Sequence, residues 1–255
     1  MILIDTHCHL YSEEFVQDID AVIERATTEG VQKFYLPGID STSIDAMLNL
    51  EIRFPDRCFA MMGLHPCYVK ENYKQELDIV QNWLTKRKFS AVGEIGLDFY
   101  WDKTFAAEQY EAFRIQMEWA IAYDRPIVIH TRNAMQETIN LVKEYVPKGI
   151  RGIFHCFSGS YESAQEIINA GFYLGIGGVL TYKNAGLSEV LQKIDLKHLV
   201  LETDAPYLTP VPFRGKRNES SYLKYVLAKL SEAKDVSIEE IAAITTANAE
   251  KIFGI

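Results

Sequence analysis

The sequence lacks several features that mark common classes of protein. No apolar run approaches the roughly 18 residues that span a bilayer. A strand-like segment begins at Ile2, which leaves no room for the basic and apolar regions of a signal peptide. The four cysteines form no C-x-x-C pair and indicate no disulfide framework. We therefore expect a cytoplasmic protein.

Basic residues are also in short supply. The chain has 26 lysines and arginines against 35 acidic residues, a formal net charge of −9. This balance argues against a protein that wraps nucleic acid, which needs a basic face to neutralise many phosphates. An enzyme that grips one or two phosphates with metal ions in a pocket is still compatible with it, because net charge does not decide what a cleft binds.

Strand-like and helix-like segments alternate along the whole chain without a linker. The strand candidates are Ile2–Thr6, Lys33–Pro37, Cys58–Gly63, Ala91–Ile95, Ile127–Ile129, Ile153–Cys156, Tyr173–Ile176 and Leu199–Glu202. The helix candidates are roughly 13–29, 41–53, 73–87, 104–123, 133–145, 160–170, 184–194, 218–232 and 237–251.

This alternation predicts a parallel sheet with right-handed crossovers. Eight strand–helix units in about 250 residues are typical of a (β/α)8 TIM-type barrel. An open doubly wound sheet is the alternative, but no G-x-G-x-x-G follows the first strand. We predict one α/β hydrolase domain over residues 1–255, a barrel of regular or distorted shape.

A His-x-His pair closes the first predicted strand. Successive strand side chains point to opposite faces, so His7 and His9 share a face and Cys8 points away. Two such imidazoles can hold one metal ion. The alternative is that they are two hydrogen-bonded polar side chains at the end of a strand, with no metal. Cys8 and Cys156 adjoin histidines of interest, and we expect both to be buried free thiols rather than ligands.

Other polar residues stand at the ends of other predicted strands. In a barrel those ends meet at one face, where active sites lie, so residues distant in sequence become neighbours. His198 precedes its strand and is assigned no role. The residues at this face are His7, His9, His65, Glu94, His130, His155, Glu202 and Asp204.

These residue types suit a pair of divalent cations. Glu94 can bridge both ions with its two oxygens, with His7, His9 and Asp204 on one ion and His130 and His155 on the other. A water between two metals roughly 3.5–4 Å apart loses a proton near neutral pH. Asp204 could orient that water or take its proton.

The remaining candidates concern the substrate and the outer residues of the site. His65 can polarise a substrate oxygen or donate to it, or merely cap its loop. Arg132 can meet a phosphate, and so can Arg214, Lys216 and Arg217 in the loop after the eighth strand; surface ion pairs and a solvated loop are the alternatives. Glu202 can orient a ligand. The aromatic run Phe99, Tyr100 and Trp101 can stack on a nucleobase or form a hydrophobic lid.

Six motifs together resemble the TatD-type metal-dependent deoxyribonucleases of the amidohydrolase superfamily. They stand in family order over nearly the whole chain, as Ile4–Leu10, Gly63–Pro66, Gly93–Asp98, His130–Arg132, His155–Gly159 and Leu201–Leu208. One departure is Ser220, where the family usually has proline.

The resemblance implies a distorted barrel and the same two sets of ligands, with Glu94 shared. It also implies hydrolysis of DNA, often as a 3′-to-5′ exonuclease, with magnesium, manganese or zinc, on a single strand or an end.

Three functions are therefore weighed. The first is a two-metal phosphodiesterase acting on DNA. The second is a binuclear amidohydrolase acting on a small amide or ester, although many such enzymes have a carboxylated lysine where Glu94 stands here. The third is a metal-dependent binding protein without turnover, which would have no need of Asp204.

Overall fold

The computed structural model describes residues 1–254. Its strands are β1 (Leu3–Asp5), β2 (Val31–Leu36), β3 (Cys58–Ala60), β4 (Val92–Asp98), β5 (Ile127–Arg132), β6 (Gly152–Phe154), β7 (Tyr173–Ile176) and β8 (Leu199–Leu201). Its α-helices are α1 (Ile19–Thr28), α2 (Ile44–Arg53), α3 (Tyr73–Lys86), α4 (Ala106–Ala122), α5 (Met135–Tyr145), α6 (Tyr161–Asn169), α7 (Leu187–Gln192), α8 (Leu223–Lys234) and α9 (Ile238–Phe253).

The strands lie in chain order and all pair in parallel. They form two ladders, β1-β2-β3 and β4-β5-β6-β7-β8. A bridge between Met62 and Val92 joins the ladders on one side, and the Thr6 N–H donates to the Leu201 carbonyl (3.0 Å) on the other. The predicted (β/α)8 barrel is confirmed, in a form distorted where the ladders are interrupted. The single-domain organisation stays a prediction.

The barrel interior is apolar at the amino ends of the strands. Side chains there form a buried cluster with α9, where the Tyr35 and Phe253 rings stack with centroids 3.7 Å apart. This packing closes the barrel at the amino ends of the strands. The polar residues lie at the opposite end, which we call the mouth. Of the helices in residues 1–254, none combines the length and apolar character that crossing a membrane requires.

Two glycines allow strands and side chains to approach closely near the mouth. Gly96 has φ +147°, and a Cβ there would lie 1.9 Å from the His130 carbonyl oxygen. A Cβ at Gly175 would lie 2.2 Å from Glu202 Oε2. Both positions therefore require glycine if β4, β5 and the end of β8 are to hold their polar side chains in place.

Candidate metal centre

The structure brings the six predicted metal ligands together at the mouth, and we call this group the cage. Two follow β1, one lies in each of β4 and β5, one follows β6, and one lies three residues beyond β8. One difference from the sequence expectation is that β4 continues to Asp98, so that Glu94 lies within the strand rather than at its end. The members of the cage are His7, His9, Glu94, His130, His155 and Asp204.

The Glu94 carboxylate is the centre of the cage and is almost fully buried. Its two oxygens face different histidines. Oε1 lies 2.8 Å from His130 Nδ1, 2.8 Å from His155 Nε2 and 3.3 Å from His65 Nε2. Oε2 lies 3.2 Å from His7 Nε2 and 3.8 Å from His9 Nε2. The carboxylate is thus placed to share its oxygens between two groups of imidazoles.

Asp204 lies beside the His-x-His pair. Its Oδ1 is 3.6 Å from His7 Nε2 and 3.4 Å from His9 Nε2. Its backbone N–H donates to the His7 carbonyl (2.9 Å), and its φ of +57° is a left-handed conformation that aspartate tolerates better than most residues. The loop after β8 is therefore attached directly to the end of β1.

The histidines control the ionisation of Glu94. Burial by itself would raise its pKa, but His155, His65 and His7 outweigh burial and hold the pKa well below its ordinary value. Burial and the neighbouring His155 lower the pKa of His7, and burial lowers that of His65, in both cases against the opposing effect of Glu94. Glu94 is therefore a carboxylate, as a bridging ligand must be.

Two histidines are shifted in the opposite direction. Burial would lower the pKa of His155, but Glu94 and Glu202 raise it well above its ordinary value. Burial would likewise lower the pKa of His130, but its hydrogen bonds to Asp98 and Glu94 raise it. A cation that binds these two imidazoles must displace any proton they carry.

The donor set fits divalent cations, and Glu94 belongs to two of the four candidate groups of ligands within residues 1–254. Within each candidate group the ligand atoms lie within 4.8 Å of one another: His7, His9 and Glu94 form one group, and Glu94, His130 and His155 form another. The Nδ1 atoms of His7 and His155 are buried without a hydrogen-bond partner. Imidazole and carboxylate together suit zinc, manganese or iron. Which residue binds which ion stays a prediction.

His65 both caps its loop and faces the cage. Its Nδ1 accepts from the Cys67 N–H (3.1 Å) at the start of a short 3-10 helix, Pro66–Tyr68. Because Nδ1 is an acceptor, the neutral ring carries its proton on Nε2, the atom that points at Glu94. The two alternatives weighed from sequence are thus compatible.

Asp98 is a site residue to which the sequence reasoning gave no role. Its Oδ2 lies 2.9 Å from His130 Nε2, and its Oδ1 accepts from the N–H groups of Tyr100 (2.9 Å) and Trp101 (3.3 Å). A carboxylate behind a histidine fixes which ring nitrogen faces a metal. The available signal was spacing, since residues four apart in a strand share a face.

Asp5 is a second residue that was missed. Its buried carboxylate accepts from the Thr203 N–H (2.9 Å), the Thr203 hydroxyl (2.6 Å) and the Ser220 hydroxyl (2.6 Å). Burial raises the pKa of Asp5 to about 7, although these hydrogen bonds oppose the shift. Ser220, the departure from the family pattern, therefore helps to hold the loop of Asp204 against β1.

The remaining predicted residues behind the cage lie as follows. Glu202 lies 3.5 Å from His155 Nδ1 and accepts from the backbone N–H of Cys156. Cys8 is a buried free thiol, as expected, and contacts the Tyr35 carbonyl. The expectation that Cys156 is buried as well is wrong, because this free cysteine lies in the turn after β6 and is only half-buried. His198 precedes β8, at the end away from the mouth.

The basic side chains that were predicted to bind the substrate differ in whether a carboxylate pairs with them. Within residues 1–254, no carboxylate pairs with Arg132, Arg214 or Lys216. The Arg132 guanidinium lies 3.8 Å from the Tyr100 ring centroid, and that of Arg214 lies 3.7 Å from Tyr182. Arg217 instead donates two 2.8 Å hydrogen bonds to Asp18, and its contact with the substrate stays a prediction.

The barrel and its cage together define a metal-dependent hydrolase. The chain belongs to the TatD family: the family described as TatD related DNase matches residues 4–254. It is 41% identical to an uncharacterized metal-dependent hydrolase, YabD of Bacillus subtilis, over the whole of both chains. It is 32% identical to the 3′-5′ ssDNA/RNA exonuclease TatD of Citrobacter rodentium, covering 99% of this chain and 98% of that one.

A solved structure agrees with the assignment. The crystal structure of the TatD homologue YjjV from Escherichia coli superposes with a TM-score of 0.94 at 31% sequence identity, covering 99% of this chain and 98% of that chain. Family membership and fold thus agree along the length of the chain.

Proposed function

We propose that the protein is a metal-dependent phosphodiesterase that hydrolyses DNA as a 3′-to-5′ exonuclease. The observation that carries the proposal is the position of Glu94, whose two oxygens face two separate groups of histidines, with Asp204 beside one of them. The direction of digestion is taken from the activity for which the Citrobacter rodentium relative is named.

In this proposal the residues of the chain divide the work. The cage would hold the divalent cations, which would supply a Lewis acid and lower the pKa of the water that attacks the phosphate. Asp204, partly exposed at the mouth, accepts the proton of the attacking water. His65 Nε2–H donates to the phosphate oxygen that gains charge, and the unpaired Arg132 guanidinium contacts a further phosphate oxygen.

The test is digestion of a 5′-labelled single-stranded oligonucleotide by the purified protein with Mg²⁺, Mn²⁺ or Zn²⁺ added after chelation. Products shortened one nucleotide at a time are expected, because 3′ digestion leaves the label on the longer fragment. Asp204→Asn should lower kcat by at least about 10²-fold, since it removes a proton acceptor. Asp45→Asn, which changes an exposed carboxylate on α2, is the matched control.

Other outcomes would contradict the proposal in distinguishable ways. Immediate release of labelled mononucleotide would reverse the direction, and scattered fragments would indicate an endonuclease. Turnover of small esters or amides without loss of DNA would favour the amidohydrolase alternative. Metal binding without turnover of any of these substrates would favour a binding protein.

A further inference from the structure

The large aromatic side chains that are exposed all belong to segments next to the cage. Within residues 1–254 no other Phe, Tyr or Trp is as exposed as the four that follow. They are Tyr68 (46%), Tyr100 (51%), Trp101 (69%) and Tyr207 (52%). Exposed aromatic rings that cluster in one region mark a binding surface rather than ordinary surface composition.

Two of them contact histidines of the site directly. The Tyr68 ring meets His65 edge-on with centroids 6.0 Å apart, and the Tyr207 ring meets His9 edge-on at 5.8 Å. These two tyrosines therefore stand immediately above the cage, on the side of β1 and β3.

The other two are attached to the cage through Asp98. One oxygen of this carboxylate accepts from the Tyr100 and Trp101 N–H groups, and the other lies against His130 Nε2. The two backbone hydrogen bonds that Asp98 accepts thus set the position of the Tyr100–Trp101 segment relative to a predicted metal ligand.

Arg132 completes the arrangement at Tyr100 and Trp101. Its guanidinium lies 3.8 Å from the Tyr100 centroid and 5.1 Å from the Trp101 centroid, and the two rings meet edge-on at 4.8 Å. Because no carboxylate within residues 1–254 pairs with Arg132, its charge is available to an anion.

The alternative interpretation of Phe99, Tyr100 and Trp101 is a hydrophobic lid. The exposed fractions of the three side chains distinguish Phe99 from the other two. Phe99 packs against the core and meets Tyr110 at 6.1 Å. Tyr100 and Trp101 are exposed and, unlike Phe99, are not among the side chains packed against the core. Phe99 is therefore an anchor in the core, and the next two rings are free to meet a ligand.

We propose that Tyr100, Trp101 and Arg132 form a stacking subsite, in which an unpaired nucleobase lies on the Trp101 ring and the adjoining phosphate meets Arg132. The proposal rests on the proposed phosphodiesterase activity and adds the group that recognises the base. Stacking on an aromatic ring accepts any base, because every base has a π-face. Bases inside a duplex are already stacked, so the subsite favours a frayed or single-stranded end.

The experiment compares two oligonucleotides that differ only at the 3′ terminus, one with normal nucleotides and one with abasic tetrahydrofuran residues. Trp101→Ala should raise KM for the normal end by about 5-fold to 100-fold and leave kcat little changed. KM for the abasic end should not change. Trp101→Phe, which retains a ring, should restore most of the loss, and Ile52→Ala, which removes a 72% exposed side chain from α2, should have no effect.

A second measurement does not depend on hydrolysis. Oligonucleotide added to chelated protein should quench tryptophan fluorescence, and Trp101→Phe should remove that quenching. Equal losses of Trp101→Ala on both substrates, or an unchanged KM, would overturn the subsite and leave the phosphodiesterase standing. Quenching by the oligonucleotide without any DNA hydrolysis would overturn the phosphodiesterase and support the subsite.

Discussion

The buried Asp5 carboxylate makes the stability of the protein depend on pH in a way that one substitution can isolate. Burial raises the folded-state pKa of Asp5 from 3.8 to about 7. Between these values the folded form keeps a proton that the unfolded form has lost. The stabilisation is therefore complete below pH 3.8 and is lost as the pH rises through 7.

The magnitude follows from the shift. A displacement from 3.8 to about 7 corresponds to about 4 kcal/mol in all, and to about 3 kcal/mol between pH 5 and pH 8. Asp5→Asn is neutral throughout. Its carbonyl can accept from the Thr203 N–H while its amide donates to the Thr203 and Ser220 hydroxyls. The protonated acid has a single O–H, so it donates to one of these hydroxyls and accepts from the other.

The assay is urea unfolding of chelated wild-type and Asp5→Asn protein at pH 5 and pH 8. The stability of the variant relative to the wild type should improve by about 3 kcal/mol from the lower to the higher pH. Asp45→Asn, on the surface of α2, should track the wild type at both values. A relative stability of Asp5→Asn that is the same at pH 5 and pH 8 would refute the reasoning.

Two further predictions concern the cations. Asp98→Asn should weaken metal binding by about 10-fold to 100-fold, because the carboxylate orients the His130 ring. Competition with a chelator measures this affinity, and an unchanged affinity would show that the ring is held by packing alone. Metal affinity should also fall as the pH is lowered from 8 to 6, because the raised pKa values of His155 and His130 mean that binding must displace protons. Calorimetry in buffers of different ionisation enthalpy should detect the released protons. A metal affinity that does not depend on pH would contradict this prediction.

Strand ends were the part of the site that could be predicted from sequence. The polar residues after short apolar runs required only the rule that parallel strands present their carboxyl ends at one face. Thus His7 and His155, far apart in sequence, were expected as neighbours, and their rings stack with centroids 3.9 Å apart. This proximity could be predicted because buried strands give a strong local signal in the sequence.

Partnerships between distant side chains could not be predicted in the same way. The Ser220 hydroxyl donates to Asp5, and Arg217 pairs with Asp18. The sequence around Ser220 or Arg217 does not indicate either partner. The two arginines Arg132 and Arg217 look alike in sequence, but only Arg132 keeps its charge unpaired within residues 1–254. Such differences arise from packing, which local pattern does not encode.

The cage and the predicted substrate contacts lie on different parts of the fold, so the fold fixes the metal ligands more closely than it fixes the substrate. Every member of the cage lies in a β-strand or within four residues of the end of one, where packing fixes side chains. Trp101 and Arg214 lie on loops, which can change without disturbing the cage. Loss of a cage residue should abolish any reaction that the centre performs, so such variants identify the centre and not the substrate. Only loop residues such as Trp101 can separate one substrate from another.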